Sequence, residues 1–282
     1  MIETVQIDTL EGLVPLLSEQ NYNPMIDRNR SSYLYRGMPD ASFELIPSLR
    51  LNCRQQARNI EPSILRNFRK YAATEEPSIE KSVWDQMIVG QHHGLPTRLL
   101  DWSYSPLIGL HFAVTERDLR KMTRRDCAVW RIDMAELHSL LPQKYQHQRR
   151  ENHSTAFTVE MLRDVAPTLR EYDRDMGDSS MLVIEPPSID PRIINQYSFF
   201  SVVPSGMESV EEFLGRSTQH SVKYIIKKEL RWRIRDMLDQ LNINERIVYP
   251  GLDGLSTWLA RYYYVKGPEE DPRSVQKRVS ME

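Results

Sequence analysis

Short apolar runs rich in β-branched and aromatic residues, YLYRGM (33–38), DCAVWRIDM (126–134) and SSMLVIEPP (179–187), punctuate a chain whose other apolar stretches mostly follow a helical period. Bounded by turn or charged residues, they read as strands. They do not alternate regularly with helices, which argues against a doubly wound parallel sheet and for an α+β fold. No GxGxxG or GxxxxGK[ST] phosphate loop occurs. At 282 residues the chain can bury a core without covalent help, so the expectation is a single domain, a mixed sheet core with several flanking helices.

The helical stretches are placed by their period and their ends. Leu10, Leu13, Val14 and Leu17 predict a short helix over 9–19, and Pro62 sits in the first turn of another over 61–73. Residues 78–94 predict a helix stopped by Gly94, and 105–118 a buried helix with Ser105 as N-cap and Pro106 at its first position. The longest regular pattern, Val222 to Leu241, predicts one helix over 222–241. RIINQYSFFSVV (192–203) reads as a strand pair bending near Asn195, and YPGLDGLSTWLARYYY (249–264) as a turn and a short helix. The polar stretch 135–180 reads as an insertion that could hold a mobile lid or a partner-binding element. The domain would then span 33–260, with a helix and loop before it (1–32) and a disordered tail after it (261–282).

Composition narrows the function classes. The 37 basic and 39 acidic residues leave a net charge of −2, so whole-chain charge gives no argument for nucleic-acid binding. The basic segments at 49–70 and 223–236 remain candidate phosphate-facing patches or solvated helix faces. Mean hydropathy is −0.54, and no apolar run approaches a membrane span, so no membrane partner is expected. Two cysteines far apart and the absence of a signal pattern predict a cytoplasmic protein.

The residues that could carry chemistry cluster in QHHGLPTRLLDWSYSPLIGLHFAV (91–114). His92 and His93 are adjacent and lack the i, i+4 spacing of a zinc helix, so no metal is assigned; an imidazole touching a ligand is the functional reading. Arg98 and Asp101 read as a structural pair fixing the loop, and in the functional reading Arg98 belongs to a polar site. Thr97 and Ser103 offer hydroxyls there, and Trp102 a wall. Arg36, at the end of a strand and before Gly37, is a fixed guanidinium suited to a phosphate or ribose.

The blocks YLYRGMPDASFELIPSLRL, WDQMIVGQHHGLPTRLLDWSYSPLIGLHFAV, IEPPSIDPRIINQYSFFSV and VYPGLDGLSTWL stand in the order and approximate spacing of the FRG domain family, which the chain resembles over about 33–260. A second resemblance is to NAD-splitting ADP-ribosyltransferases. These place an Arg or His at the end of one strand, a hydroxyl-bearing motif on a second and a Glu or Gln near a third. It implies an ADP-ribosyltransferase-like sheet and NAD as substrate. By it, Arg36 is the first element, Thr97 or Ser103 the second, and Glu185 or Gln196 the third. Tyr35, Gly37, His92, His93 and Trp102 would complete the NAD-binding set.

The resemblance further implies a toxin or phage-defence effector that modifies a macromolecule, with RNA or DNA slightly favoured over protein, and allows an inhibitory protein partner. No Q-x-E or E-x-E stands near the third strand, so a non-catalytic nucleotide- or partner-binding module competes with it. A metal-dependent nuclease would need clustered acidic and histidine ligands whose spacing the chain does not show.

Overall fold

The computed structural model describes residues 2–18 and 20–267. Its strands are β1 (Glu3–Ile7), β2 (Asn21–Asn23), β3 (Arg28–Arg30), β4 (Tyr33–Met38), β5 (Leu99–Ser103), β6 (Cys127–Asp133), β7 (Phe157–Thr158), β8 (Leu182–Glu185), β9 (Ser198–Val202) and β10 (Val222–Ile226). β2 and β3 form a separate hairpin, and the other eight form one mixed sheet in the order β1-β10-β6-β4-β5-β9-β8-β7. Helices cover both faces, so the chain is α+β.

The sheet is weakest at its middle. β4 pairs with β6 over six residues, and β5 with β9 over five, but β4 and β5 meet only at Tyr35 and Ser103. Beyond that pair the two strands part. On one face a single apolar cluster, including Leu34, Leu100, Trp102, Trp130 and Phe199, bridges both halves. On the other face the core is divided. Tyr35, Leu110, Val129, Tyr224 and Ile234 pack over the β1-β10-β6-β4 half, and Trp84, Leu99, Phe157, Tyr172 and Phe200 over the β5-β9-β8-β7 half. The seam between these two cores is where a cleft can open without exposing either.

Gly37 fixes how the helix Pro106–Ala113 lies on β4. A Cβ at this position would fall 2.1 Å from the Gly109 carbonyl oxygen and 2.3 Å from the Ala113 nitrogen. Only a glycine allows that approach.

Several expectations are corrected. Residues 222–241 are not one helix: Val222, Tyr224 and Ile226 are buried with period two and form β10, between β1 and β6, and the helix begins at Arg231. Paired on both sides, that stretch gains two hydrogen-bond ladders that a helix would forgo. Residues 192–203 are a short helix, Pro191–Asn195, followed by β9, because Asp190 caps the backbone N–H of Arg192 and Pro191 sits at the helix start. LLDWS, given no secondary structure from the sequence, is β5. Residues 3–7, assigned to a helix-and-loop prelude, form the edge strand β1.

The stretch 135–180 is built into the fold. Its helices bury Leu137, Tyr145, Leu162, Tyr172 and Met176, and the Trp84 indole donates to the Ala166 carbonyl at 2.8 Å. It is not a detachable lid. At the C-terminal side Tyr264 stacks on Trp232 with ring centroids 5.7 Å apart, so packed structure extends past 260. The expected disorder of the tail from 268 onward lies outside the described residues. Among the described residues, no helix is long and apolar enough to cross a membrane.

Candidate functional site

Where β4 and β5 part, the Asp101 carbonyl oxygen has no strand partner on that side, and Arg36 supplies one. Its Nη1 donates to that oxygen at 2.7 Å and lies 3.4 Å from the Asp101 carboxylate. The Asp101 side chain is 57% exposed, in a strand whose other residues are buried. Gln91 holds it in place. The Gln91 amide nitrogen donates to both carboxylate oxygens, at 3.0 and 3.1 Å, while its amide oxygen accepts the Thr97 hydroxyl at 2.5 Å. Thr97 in turn accepts the Leu99 N–H at 3.1 Å. Thr97, Gln91, Asp101 and Arg36 therefore form one relay, in which three residues of the QHHGLPTRLLDW motif set a carboxylate beside a guanidinium.

Around them lies a cleft of about 830 Å³. Tyr35, Arg36 and Gly37 line it from β4, and Asp101, Trp102 and Ser103 from β5. Arg192 and Gln196 come from the short helix that precedes β9, and Tyr249 from the turn after Val248. Two amides tie those last segments together: Asn195 donates to the Ile247 carbonyl at 2.8 Å and Gln196 to that of Val248 at 3.1 Å. The Arg192 guanidinium sits 5.7 Å from the centre of the Tyr249 ring. The four sequence blocks thus each bring residues to one cleft.

Charge on the lining is strongly biased. Arg36, Arg117, Lys121, Arg124, Arg125 and Arg192 face three carboxylates, Asp40, Asp101 and Glu116. Asp40 is bound to Arg125 and Ser42, and Glu116 accepts the Asp118 N–H at 3.2 Å. The Nε atoms of Arg36 and Arg192 are buried without a hydrogen-bond partner, which is costly unless a ligand satisfies them. Phe43, Phe112 and Tyr249 supply aromatic surface. Such a cleft suits an anionic ligand with a ring, held by charge-assisted hydrogen bonds.

The sequence-named residues divide between this cleft and other places. Tyr35, Arg36, Gly37, Trp102, Ser103 and Gln196 line it, although besides the Arg36 and Gln196 contacts above, two more of their polar groups are already engaged. The Ser103 hydroxyl donates to the Gln196 carbonyl at 2.7 Å and the Trp102 indole to Ser201 at 2.9 Å. The Tyr35 phenol is neutral, its pKa pushed up to about 12 by burial. Thr97 is buried and acts through Gln91. His92 lies outside the cleft, 3.1 Å from Asp190, and His93 is exposed beside it. Burial opposes ionisation of Asp190, yet the Arg192 N–H and His92 hold its carboxyl below the usual range.

Glu185 lines a different cleft, so it does not meet Arg36. Arg98 is not paired with Asp101. It is buried between Glu61 and Asp173, which raise its basicity against the effect of burial. In the basic segment 223–236, Arg231 and Arg235 are buried and bind the Thr115 carbonyl and Glu245, so neither is free to meet a phosphate. Sequence reasoning missed Asp101 as a site residue, together with Arg192, Tyr249 and the run TERDLRKMTRRD (115–126). An exposed acid inside an otherwise apolar strand was the available signal for the first. Among the described residues, no group of three or more His, Cys, Asp or Glu side chains could hold a metal ion.

No curated protein and no solved structure matches the chain significantly. The FRG domain family model matches residues 31–121, which hold β4, the Gln91–Asp101 relay and the helix packed on Gly37. The chain carries an FRG domain.

Proposed function

We propose that the cleft binds NAD and that the protein is an NAD-dependent ADP-ribosyltransferase-like enzyme acting on a macromolecular acceptor. The observation that carries this reading is Arg36, a guanidinium fixed at the parting of two strands with its Nε unpartnered, in a basic, aromatic-walled cleft of about 830 Å³. Arg36 and Arg192 would hold the diphosphate, and Tyr249 or Phe112 a ring.

In the reaction the bond between ribose C1′ and the nicotinamide nitrogen breaks, with the electron pair leaving on nicotinamide. An acceptor oxygen or nitrogen then forms the new bond to C1′ and loses its proton. The ribose is oxocarbenium-like between these events, and a carboxylate placed beforehand stabilises that charge. Asp101, oriented by Gln91, takes this role in place of Glu185, with Gln196 across the cleft. The toxin or phage-defence role belongs to the same proposal by analogy.

The test is nicotinamide release from labelled NAD, with label transfer to separate pools of RNA, DNA and protein. Arg36→Ala and Asp101→Asn are each expected to lower release by on the order of 10²-fold or more. Tight NAD binding without release in the native protein would instead favour the binding module. Neither binding nor release would remove the NAD reading.

A further inference from the structure

The fold has a second cleft, of about 1210 Å³, on the other side of Tyr35 and Ser198, which line both. Its walls include the β2–β3 hairpin, Tyr104 and Pro106 after β5, and the Tyr197 turn before β9. Three tyrosines line it besides Tyr35. Tyr104 and Tyr197 lie with ring centroids 5.5 Å apart, and Tyr22 stands on the hairpin; Tyr22 and Tyr197 are 60% and 58% exposed. Two cations, Arg30 and Arg149, line it against one carboxylate, Glu185. The Arg149 Nε is buried with no hydrogen-bond partner.

Tyr197 gives the strongest indication that this surface is built for a purpose. It follows the helix Pro191–Asn195 with φ at +51°, in the left-handed region, at the position where a helix end ordinarily takes glycine. A bulky side chain there costs about 1–2 kcal/mol. Within the chain the ring meets the Tyr104 ring and otherwise stays mostly in solvent, so its own packing offsets that cost only in part. A strained residue kept at an exposed aromatic position points to a ligand that uses the ring.

We propose that this second cleft binds single-stranded nucleic acid, with unpaired bases stacking on Tyr197 and Tyr22 and the backbone held by Arg149 and Arg30. Stacking on exposed rings needs free base faces, which a duplex does not offer, and the excess of cations complements phosphate. Asn23, Asn29 and Ser31 bring polar groups to the same wall. That the bound strand is also the acceptor for chemistry in the first cleft rests on the transferase reading; the binding itself does not.

The experiment is fluorescence anisotropy of labelled twelve-nucleotide oligo(U) and oligo(dT) with the full chain and no NAD, so its outcome is separate from that of the nicotinamide assay. Binding that weakens with rising salt is expected, with a blunt duplex of equal length binding less well. The two oligomers show whether RNA or DNA is preferred. Tyr197→Gly removes both ring and strain, so it is expected to weaken binding about tenfold while leaving the melting temperature unchanged or raised. Arg149→Gln is expected to weaken binding and flatten its salt dependence. Absence of binding, equal binding by Tyr197→Gly, or a preference for duplex or for an acidic peptide would overturn the proposal.

Discussion

Arg98 and Asp101 stand three residues apart in one motif, yet they lie in opposite physical settings. Arg98 is sealed between Glu61 and Asp173 and ties the helix Ala57–Ala72 and the helix Leu169–Met176 to the start of β5. A second sealed network joins His111, Arg235, Glu245, Arg261 and Asp239, and locks the last helices onto the helix that covers β4. Unpartnered nitrogens occur in both settings, but the Arg235 Nε and His111 Nε2 of the sealed network line neither cleft, whereas Arg36 and Arg192 line the cleft beside the half-exposed Asp101. Charges that satisfy one another stabilise a fold, whereas charges left short of partners in a cleft are available to a ligand.

The contrast breaks most visibly if Arg98 proves dispensable. Arg98→Met leaves the buried Glu61 carboxylate and the half-buried Asp173 carboxylate without their cation and is expected to cost about 3–5 kcal/mol, measured by urea unfolding. Gly37→Ala, although it lies on the cleft, drives a methyl into the backbone of the Pro106–Ala113 helix and is expected to cost about 3 kcal/mol. A Gly37→Ala protein that melts like the native one would mean the helix can lift from β4.

The sealed region also predicts a pH profile. Burial, aided by the Arg235 charge, pushes the His111 pKa down to about 3, and burial pushes that of His138 down to about 4. In the unfolded chain both titrate near about 6.5. Below that value the unfolded state binds more protons, so stability is full above about pH 6.5 and is lost as the pH falls, by about 2 kcal/mol per histidine at pH 5. Glu245 extends the loss further down: burial would raise its pKa, but Arg261 and Arg235 hold it at about 2. Denaturation at pH 7 and pH 5 checks this, and His111→Asn should remove part of the slope. The smallest stability effect belongs to the cleft. Arg36→Ala and Asp101→Asn are expected to change unfolding free energy by no more than about 1 kcal/mol.

Much of this division was legible in the sequence, but only for some residues. YLYRGM announced a strand, and β4 covers all six residues, so Arg36 lies within the strand and not at its end as expected. Ser105 and Pro106 likewise marked a helix start, and the Ser105 hydroxyl does cap it. Residues 222–241 misled because Val222, Ile226, Leu230 and Ile234 fit a helical spacing across a real boundary; a strand of five residues carries too little pattern to outweigh it. β5 was hidden since Leu99, Leu100 and Trp102 are buried on both faces and show no alternation. The partners of Arg98 lie 37 and 75 residues away, and no local rule reaches that far. The nearest acid in sequence, Asp101, was the wrong one.

The central claim is that Arg36 is held for a ligand and contributes little to the fold. Isothermal titration of NAD into native protein and Arg36→Ala, with the melting temperature of each recorded on the same samples, tests it directly. The account predicts that NAD binds the native protein, that the variant loses this binding, and that its melting temperature stays close to the native value. A variant that unfolds, or one that still binds NAD as tightly as the native protein, would contradict it.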